Sequence, residues 1–189
     1  MSAGPSPKDL AVLIADKNIE GALRGLLSRP QALGLREISC DLYVHPERDP
    51  GCLLRGHHFL KPFAHRYAHA LVIFDRDGSG REEEERAALE RQVEERLSSS
   101  GWDDRAAAVV IDPELEIWVW NDSPHVESAL GWSGDMSLRG WLTQKGWLPE
   151  GAAKPAQPKM AVEEALRLAR RPRSSSMYHE LARRISTDR

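Results

Sequence analysis

Cysteine is nearly absent from this sequence: Cys40 and Cys52 are the whole complement. The pair matches no zinc-ligand spacing and is too small to build a disulfide framework, so a stapled secreted scaffold is excluded. Long apolar runs are missing too. None approaches the roughly 20 residues that a membrane span needs. The first seven residues are small and polar and lack the apolar stretch of a secretory signal. These absences lead us to expect a cytoplasmic protein with reduced thiols and no membrane partner. A strong charge of one sign is also lacking. With 26 Lys and Arg against 29 Asp and Glu, the net charge is -3. That gives no global pull towards nucleic acid. Internal repeats are not evident.

What is present suits a folded domain. A chain of 189 residues with 41% hydrophobic and 29% charged residues can bury a real core, which argues against disorder. The charge is unevenly placed. From Gly151 to Arg189 there are nine Lys or Arg against four Asp or Glu, so this tail carries +5 and the rest of the chain -8. A basic tail on an acidic body is a candidate contact for nucleic acid or a protein partner. A solvated helical face accounts for it equally well.

The stretch Leu71-Val72-Ile73-Phe74-Asp75-Arg76-Asp77-Gly78-Ser79-Gly80 organises the chain. Its apolar run reads as a buried strand. Residues two apart in a strand point to one face, so Asp75 and Asp77 can aim their carboxylates into one space. Two close carboxylates repel unless a proton or a cation sits between them. Hard cations such as Mg2+ take oxygen ligands of this kind. The spacing therefore suggests an acidic metal site at the C-terminal end of a central strand.

Two other patterns share these letters. A calcium loop counted from Asp75 is matched by Asp77, Ser79 and Gly80, but its twelfth position needs a glutamate and holds Arg86. An apolar strand followed by Asp-x-Asp-Gly also resembles the haloacid-dehalogenase phosphatase motif, with Asp75 as nucleophile and Asp77 as general acid. That motif normally opens its domain, whereas here it comes late, and the accompanying lysine and acidic pair are not evident.

The rest of the chain alternates strands and helices. Leu10–Ala15 reads as a central parallel strand. Asn18 is a candidate cap for the following helix, which carries Glu20 just past the strand end. Residues 36–45 read as a second strand and 52–67 as a helix crowded with His57, His58 and His65, with His69 close behind. No histidine spacing there matches a known zinc pattern. Ala70–Phe74 is the third strand. An amphipathic helix is expected over 81–98, with Glu82 to Glu85 as its acidic, solvated first turn. Residues 105–112 form the fourth strand. Pro113 then opens a short helix bearing Glu116. Beyond Asp122 the pattern is helical and rich in tryptophan, and packing of a small helical cap explains this better than base stacking. A Pro/Ala/Gly linker near 149–158 precedes helices over 159–170 and 178–185. The expected architecture is α/β, with a mostly parallel four-stranded sheet flanked by helices over residues 8–120 and a helical C-terminal extension over 121–189. Three strand ends would deliver Glu20, Asp75 with Asp77, and Glu116 to the sheet edge where α/β sites form.

This order resembles a TOPRIM domain over about residues 8 to 120. The nearer likeness is to small stand-alone bacterial TOPRIM-like proteins akin to RloB and the OLD-type nucleases. Leu115-Glu116-Ile117-Trp118 is similar to a segment some of them carry after the last strand, and Pro158-Lys159 to a later helix start. The resemblance implies a Rossmannoid fold and Mg2+- or Mn2+-dependent phosphodiester hydrolysis, in a setting of anti-phage defence. It would make Glu20, Asp75 and Asp77 catalytic, and Glu20, Asp75, Asp77 and Glu116 metal ligands. DNA or RNA would be the substrate, with Lys159, Arg170, Arg171 and Arg173 as candidate contacts. Arg24 stands near the place where the family often has a further acid. A non-catalytic TOPRIM-like component of a multi-protein defence complex is the alternative.

Overall fold

The structure, a computed structural model, describes residues 7–185. It divides into two compact units. The first comprises the described residues through Glu20 together with residues 35–113; the second comprises 21–34 and the described residues from Glu114 onward. The division falls at Pro113, and residues 21–34 belong with the second unit.

The first unit is an α/β fold built on one four-stranded, wholly parallel sheet in the order β2-β1-β3-β4. Its strands are β1 (Lys8–Ile14), β2 (Cys40–Val44), β3 (Tyr67–Asp75) and β4 (Ala106–Ile111). The central strands are apolar runs because both their faces are covered. In β1, Ala11 to Ile14 are at most 1% exposed, and in β3 Val72 and Phe74 are fully buried. Helices α2 (Arg48–Leu60) and α3 (Arg86–Leu97) cover one face. Leu53, Leu60, Leu89, Val93 and Leu97 supply that packing, each stabilising the fold by roughly 1.5–3 kcal/mol through burial.

Register aligns the strand ends. Ile14 pairs with Val44 on one side and Ile73 on the other, and Asp75 pairs with Ile111. All four C-terminal ends therefore reach one edge. The lateral edge at β4 is protected: Glu94 accepts the Ala108 N–H at 3.0 Å and Glu90 accepts that of Val110 at 3.1 Å. Carboxylates on those amides leave a neighbouring chain less to pair with.

Local boundaries differ from the sequence reading for identifiable reasons. β2 begins only at Cys40, because Asp9 accepts the Ser39 N–H at 2.7 Å and holds the chain before it in a non-strand path. Helix α1 (Lys17–Leu27) is capped by Asp16, not Asn18: Asp16 Oδ1 accepts the N–H groups of Asn18 and Ile19. Helix α3 starts at Arg86, not Arg81, because Glu82 is used in the preceding turn. Helix α4 (Glu116–Val119) starts three residues after Pro113, which follows a cis bond from Asp112 instead of occupying a first helical turn.

The second unit is helical. It contains α4, α5 (His125–Leu130), α6 (Leu138–Gln144), α7 (Pro158–Leu168) and α8 (Ser175–Arg184), with α1 from Gly21 onward. Trp120 and Trp141 are 5% exposed, and the Trp120 indole N–H donates to the Pro158 carbonyl at 2.9 Å. Trp132, Trp141 and Trp147 are in contact, with ring centroids 5.0 and 5.6 Å apart. Trp120 and Trp141 are core, and Trp132 and Trp147 are half-buried against Trp141. Gly21 and Gly25 let α1 approach α8: a Cβ would stand 2.2 Å from the Ser175 carbonyl oxygen and 2.4 Å from that of His179. Among the described residues, no helix is long and apolar enough to cross a membrane.

Gly51 tests the packing of the first unit. A Cβ there would stand 2.1 Å from His45 Nδ1 and 2.8 Å from the Glu47 Cβ. Gly51→Ala should destabilise the chain by about 1–3 kcal/mol despite the gain in helix propensity. Urea unfolding followed by circular dichroism measures this; an unchanged midpoint contradicts the packing described.

Candidate functional site

The C-terminal edge of the sheet is built from backbone outward. The Ala15 N–H donates to the Ile73 carbonyl at 3.2 Å and the His45 N–H to that of Ile14 at 2.9 Å, so the loops leaving β1, β2 and β3 stay side by side. β1 delivers Asp16 and Glu20, β2 delivers His45 and Asp49, and β3 delivers Asp75 and Asp77. Glu20, Asp75 and Asp77 thus share one edge of one unit.

The Asp-x-Asp-Gly loop has its own supports. The Arg76 N–H donates to the Ile111 carbonyl at 2.8 Å and the Asp77 N–H to that of Pro113 at 2.9 Å. Gly78 and Gly80 take positive φ values of 86° and 77°, which side chains resist. Their N–H groups both donate to Glu82 Oε1, at 3.0 and 3.1 Å. Hydrogen bonds to its own N–H and to those of Gly80 and Gly78 hold the Glu82 carboxyl below its usual pKa. Arg76 pairs with Asp112 at 3.1 Å. Ser79 is buried beneath the turn, and Asp77 is exposed.

Asp49 was not singled out from the sequence. It sits in the first turn of α2, and its Oδ1 accepts the Asp75 N–H at 2.9 Å. Its Oδ2 lies 3.6 Å from where a Gly78 Cβ would be. Asp49 therefore ties the end of β3 to the start of the loop. The signal lay in His45-Pro46-Glu47-Arg48-Asp49, a polar run directly after a strand, but no periodicity marks it. His45 is 5% exposed, and burial lowers its pKa, which favours the neutral ring. Its Nδ1 accepts the Glu47 N–H at 3.1 Å.

Glu20 has a cation beside it: Lys17 Nζ lies 2.6 Å from Glu20 Oε2. The edge offers the hard oxygen donors that Mg2+ prefers. Yet no group of three or more His, Cys, Asp or Glu side chains among the described residues is drawn together tightly enough to hold a metal ion. The donors fit such an ion in kind; their side chains do not converge as they stand.

Glu116 belongs to the second unit and is already engaged there. It is 1% exposed. Its Oε1 accepts the Tyr178 hydroxyl and lies 2.7 Å from Arg173 Nη2. The Arg173 Nε–H also donates to the Tyr178 oxygen at 3.0 Å, and Arg173 pairs with Glu163 at 3.1 Å. Burial and then the Glu116 charge push the Tyr178 hydroxyl far above its usual pKa. The carboxylate expected as a ligand is a structural lock between α4 and the chain entering α8. The basic residues expected to meet nucleic acid are largely occupied as well. Lys159 donates its N–H to Glu114 Oε1 at 3.0 Å and keeps its ammonium 3.4 Å from Glu114 Oε2. Arg171 donates to the Ala129 carbonyl at 3.3 Å. Arg170 is exposed.

The second unit also holds a cavity of about 300 Å3, floored by Trp120, Leu138, Leu142 and Leu148. Arg139 crosses its rim, donating to the Ala152 and Ala153 carbonyls at 3.2 and 3.3 Å.

No family model matches the chain, and no curated protein or solved structure matches it either.

The lock gives a direct expectation. Glu116→Ala should lower stability by about 2–3 kcal/mol, because it leaves the Tyr178 hydroxyl without its acceptor and the Arg173 charge with only Glu163 to face. Arg173→Ala should cost a similar amount, and the double variant less than the sum of the two. Urea unfolding of the four proteins gives the coupling; additive losses would mean that the carboxylate and guanidinium act independently.

Proposed function

We propose that the first unit is a TOPRIM-like hydrolase of phosphodiester bonds, dependent on Mg2+ or Mn2+ and acting on DNA or RNA in an anti-phage setting. One observation carries the reading. The parallel pairing of β1 with β3 brings the start of α1, which carries Glu20, to the same sheet edge as the Asp75–Asp77 loop, the edge where open α/β sheets place their sites. Glu20, Asp75 and Asp77 are the residues that would hold the ion. When bound, the ion would activate water and polarise the phosphodiester. The chain's own residues do the rest. Asp49 and Glu82 hold the loop by its amides, which leaves the exposed Asp77 side chain to the ligand. Glu20, in the first turn of α1, would take or give a proton.

A second reading rests on the Lys17–Glu20 pair. An ammonium beside that glutamate occupies the position of a cation, as suits a TOPRIM-like scaffold that binds partners in a defence complex without cutting.

Titrating Mg2+ and Mn2+ into the wild type and Asp77→Ala, with single- and double-stranded DNA and RNA incubated in parallel, separates the two. Asp77 is exposed, so the variant should fold. The hydrolase reading expects metal-dependent cleavage that falls at least 100-fold in the variant. Cleavage that survives the substitution overturns it, and metal binding without cleavage in the wild type favours the scaffold.

A further inference from the structure

Five rings form a compact row beside β2, starting from the carboxylate edge, in which Tyr43 also meets Tyr67 at 6.5 Å and Phe59 meets Phe63 at 6.2 Å. His45 follows the end of that strand, and its centroid lies 5.5 Å from that of Phe59. Phe59 lies 6.0 Å from Tyr43, and Tyr43 stacks on Phe63 at 4.9 Å with 24° between the planes. Phe63 lies 6.0 Å from Tyr67, which opens β3 at the opposite edge of the sheet. His45 and Tyr67 are buried at the two ends. Tyr43, Phe59 and Phe63 are half-buried.

The charge around the row is positive. The acids beside it are matched, Asp41 by Lys8 at 2.7 Å and Glu47 by Arg55 at 2.6 Å. Asp41 also accepts the Tyr67 hydroxyl. Lys61 and Arg66 are exposed, and neither forms an ion pair among the described residues. The Arg66 guanidinium lies over the Phe63 ring, 5.4 Å from its centroid. A cation on a ring face binds weakly when exposed and can swing to a phosphate.

We infer that this row is a track for single-stranded nucleic acid leading to the carboxylate edge. Unstacked bases lie against aromatic faces, and cations beside the rings follow the backbone. A duplex hides its base faces and has no use for the rings. The track therefore names the substrate form for the hydrolase reading and rests on that reading for its purpose. It also replaces the occupied Lys159 and Arg173 as the contact surface.

The test measures binding alone, with the full chain and no divalent metal. Fluorescence anisotropy with labelled oligo(dT), oligo(U) and a duplex of equal length would compare the wild type with Lys61→Ala/Arg66→Ala and with Phe63→Leu, which keeps apolar bulk without an aromatic face. Single strands should bind at least 10-fold tighter than the duplex. The double variant should lose about 10-fold, with a salt slope shallower by about 0.7 per cation removed. Phe63→Leu should lose several-fold at an unchanged salt slope. Duplex preference, no binding of single strands, or wild-type affinity in both variants overturns the track. Arg170→Ala/Arg171→Ala serves as a control that should bind normally; loss there with no loss at Lys61 and Arg66 assigns binding to the tail and overturns the track. Single-strand binding by the wild type without cleavage when Mg2+ is added leaves the track standing and removes the hydrolase reading.

Discussion

The parallel pairing of β1 with β3 is the constraint on which the first unit depends. A parallel pair cannot be closed by a tight turn, so the chain between the two must cross over, and here it carries β2 and α2 on the way. Because the strands run the same way, the chain leaves all of them at one edge. Loops that are distant in sequence become neighbours there. The Ala15 to Ile73 hydrogen bond extends the ladder one step past β1 and holds the two acidic loops against each other. Buried aliphatic side chains on both central strands make a slip in this register costly.

Acids at that edge fall into two kinds. Asp16, Asp49 and Glu82 spend their oxygens on backbone N–H groups and thereby shape the loops. Such bonds between a carboxylate and an amide are charge-assisted and strong, and they lower the carboxyl pKa where they dominate. Asp77 is of the other kind: its amide is committed to Pro113 while its side chain is exposed. A loop held by its amides can present a carboxylate without relying on that carboxylate for its own shape. This division explains why so many acids crowd one region without all being ligands.

The α/β class, the four strands and their shared direction were legible because apolar runs of strand length alternate with stretches of helical periodicity. The Asp75–Asp77 loop was legible for the same reason, since a strand ended at it. Element edges were less so. Asp16, Ser39 and Glu82 set boundaries through side-chain to backbone bonds, and periodicity carries no trace of these. Glu116 is the instructive case. A glutamate just past a strand looks the same in sequence whether it faces a cation or a buried arginine. Its partners Arg173 and Tyr178 lie far along the chain in a segment whose basic residues looked like a solvent-facing cluster. The ring row was hidden similarly, because Tyr43, Phe59, Phe63 and Tyr67 come from three separate elements.

Pairing and stacking together change where a polyanion would be expected to land. By composition the C-terminal tail is the basic part of the chain. In the folded unit Lys159, Arg167 and Arg173 each face an acid, at 3.4, 2.6 and 2.7 Å. A cation already paired contributes little to a phosphate, because its counter-charge must first be displaced. The flank of β2 has fewer cations in total, but its acids are matched by Lys8 and Arg55, and the exposed Lys61 and Arg66 add charge near half-buried rings. Residual charge can draw a polyanion to either place, but stacking adds a term at the flank that the tail, which holds no tryptophan and only the buried Tyr178, has no means to supply.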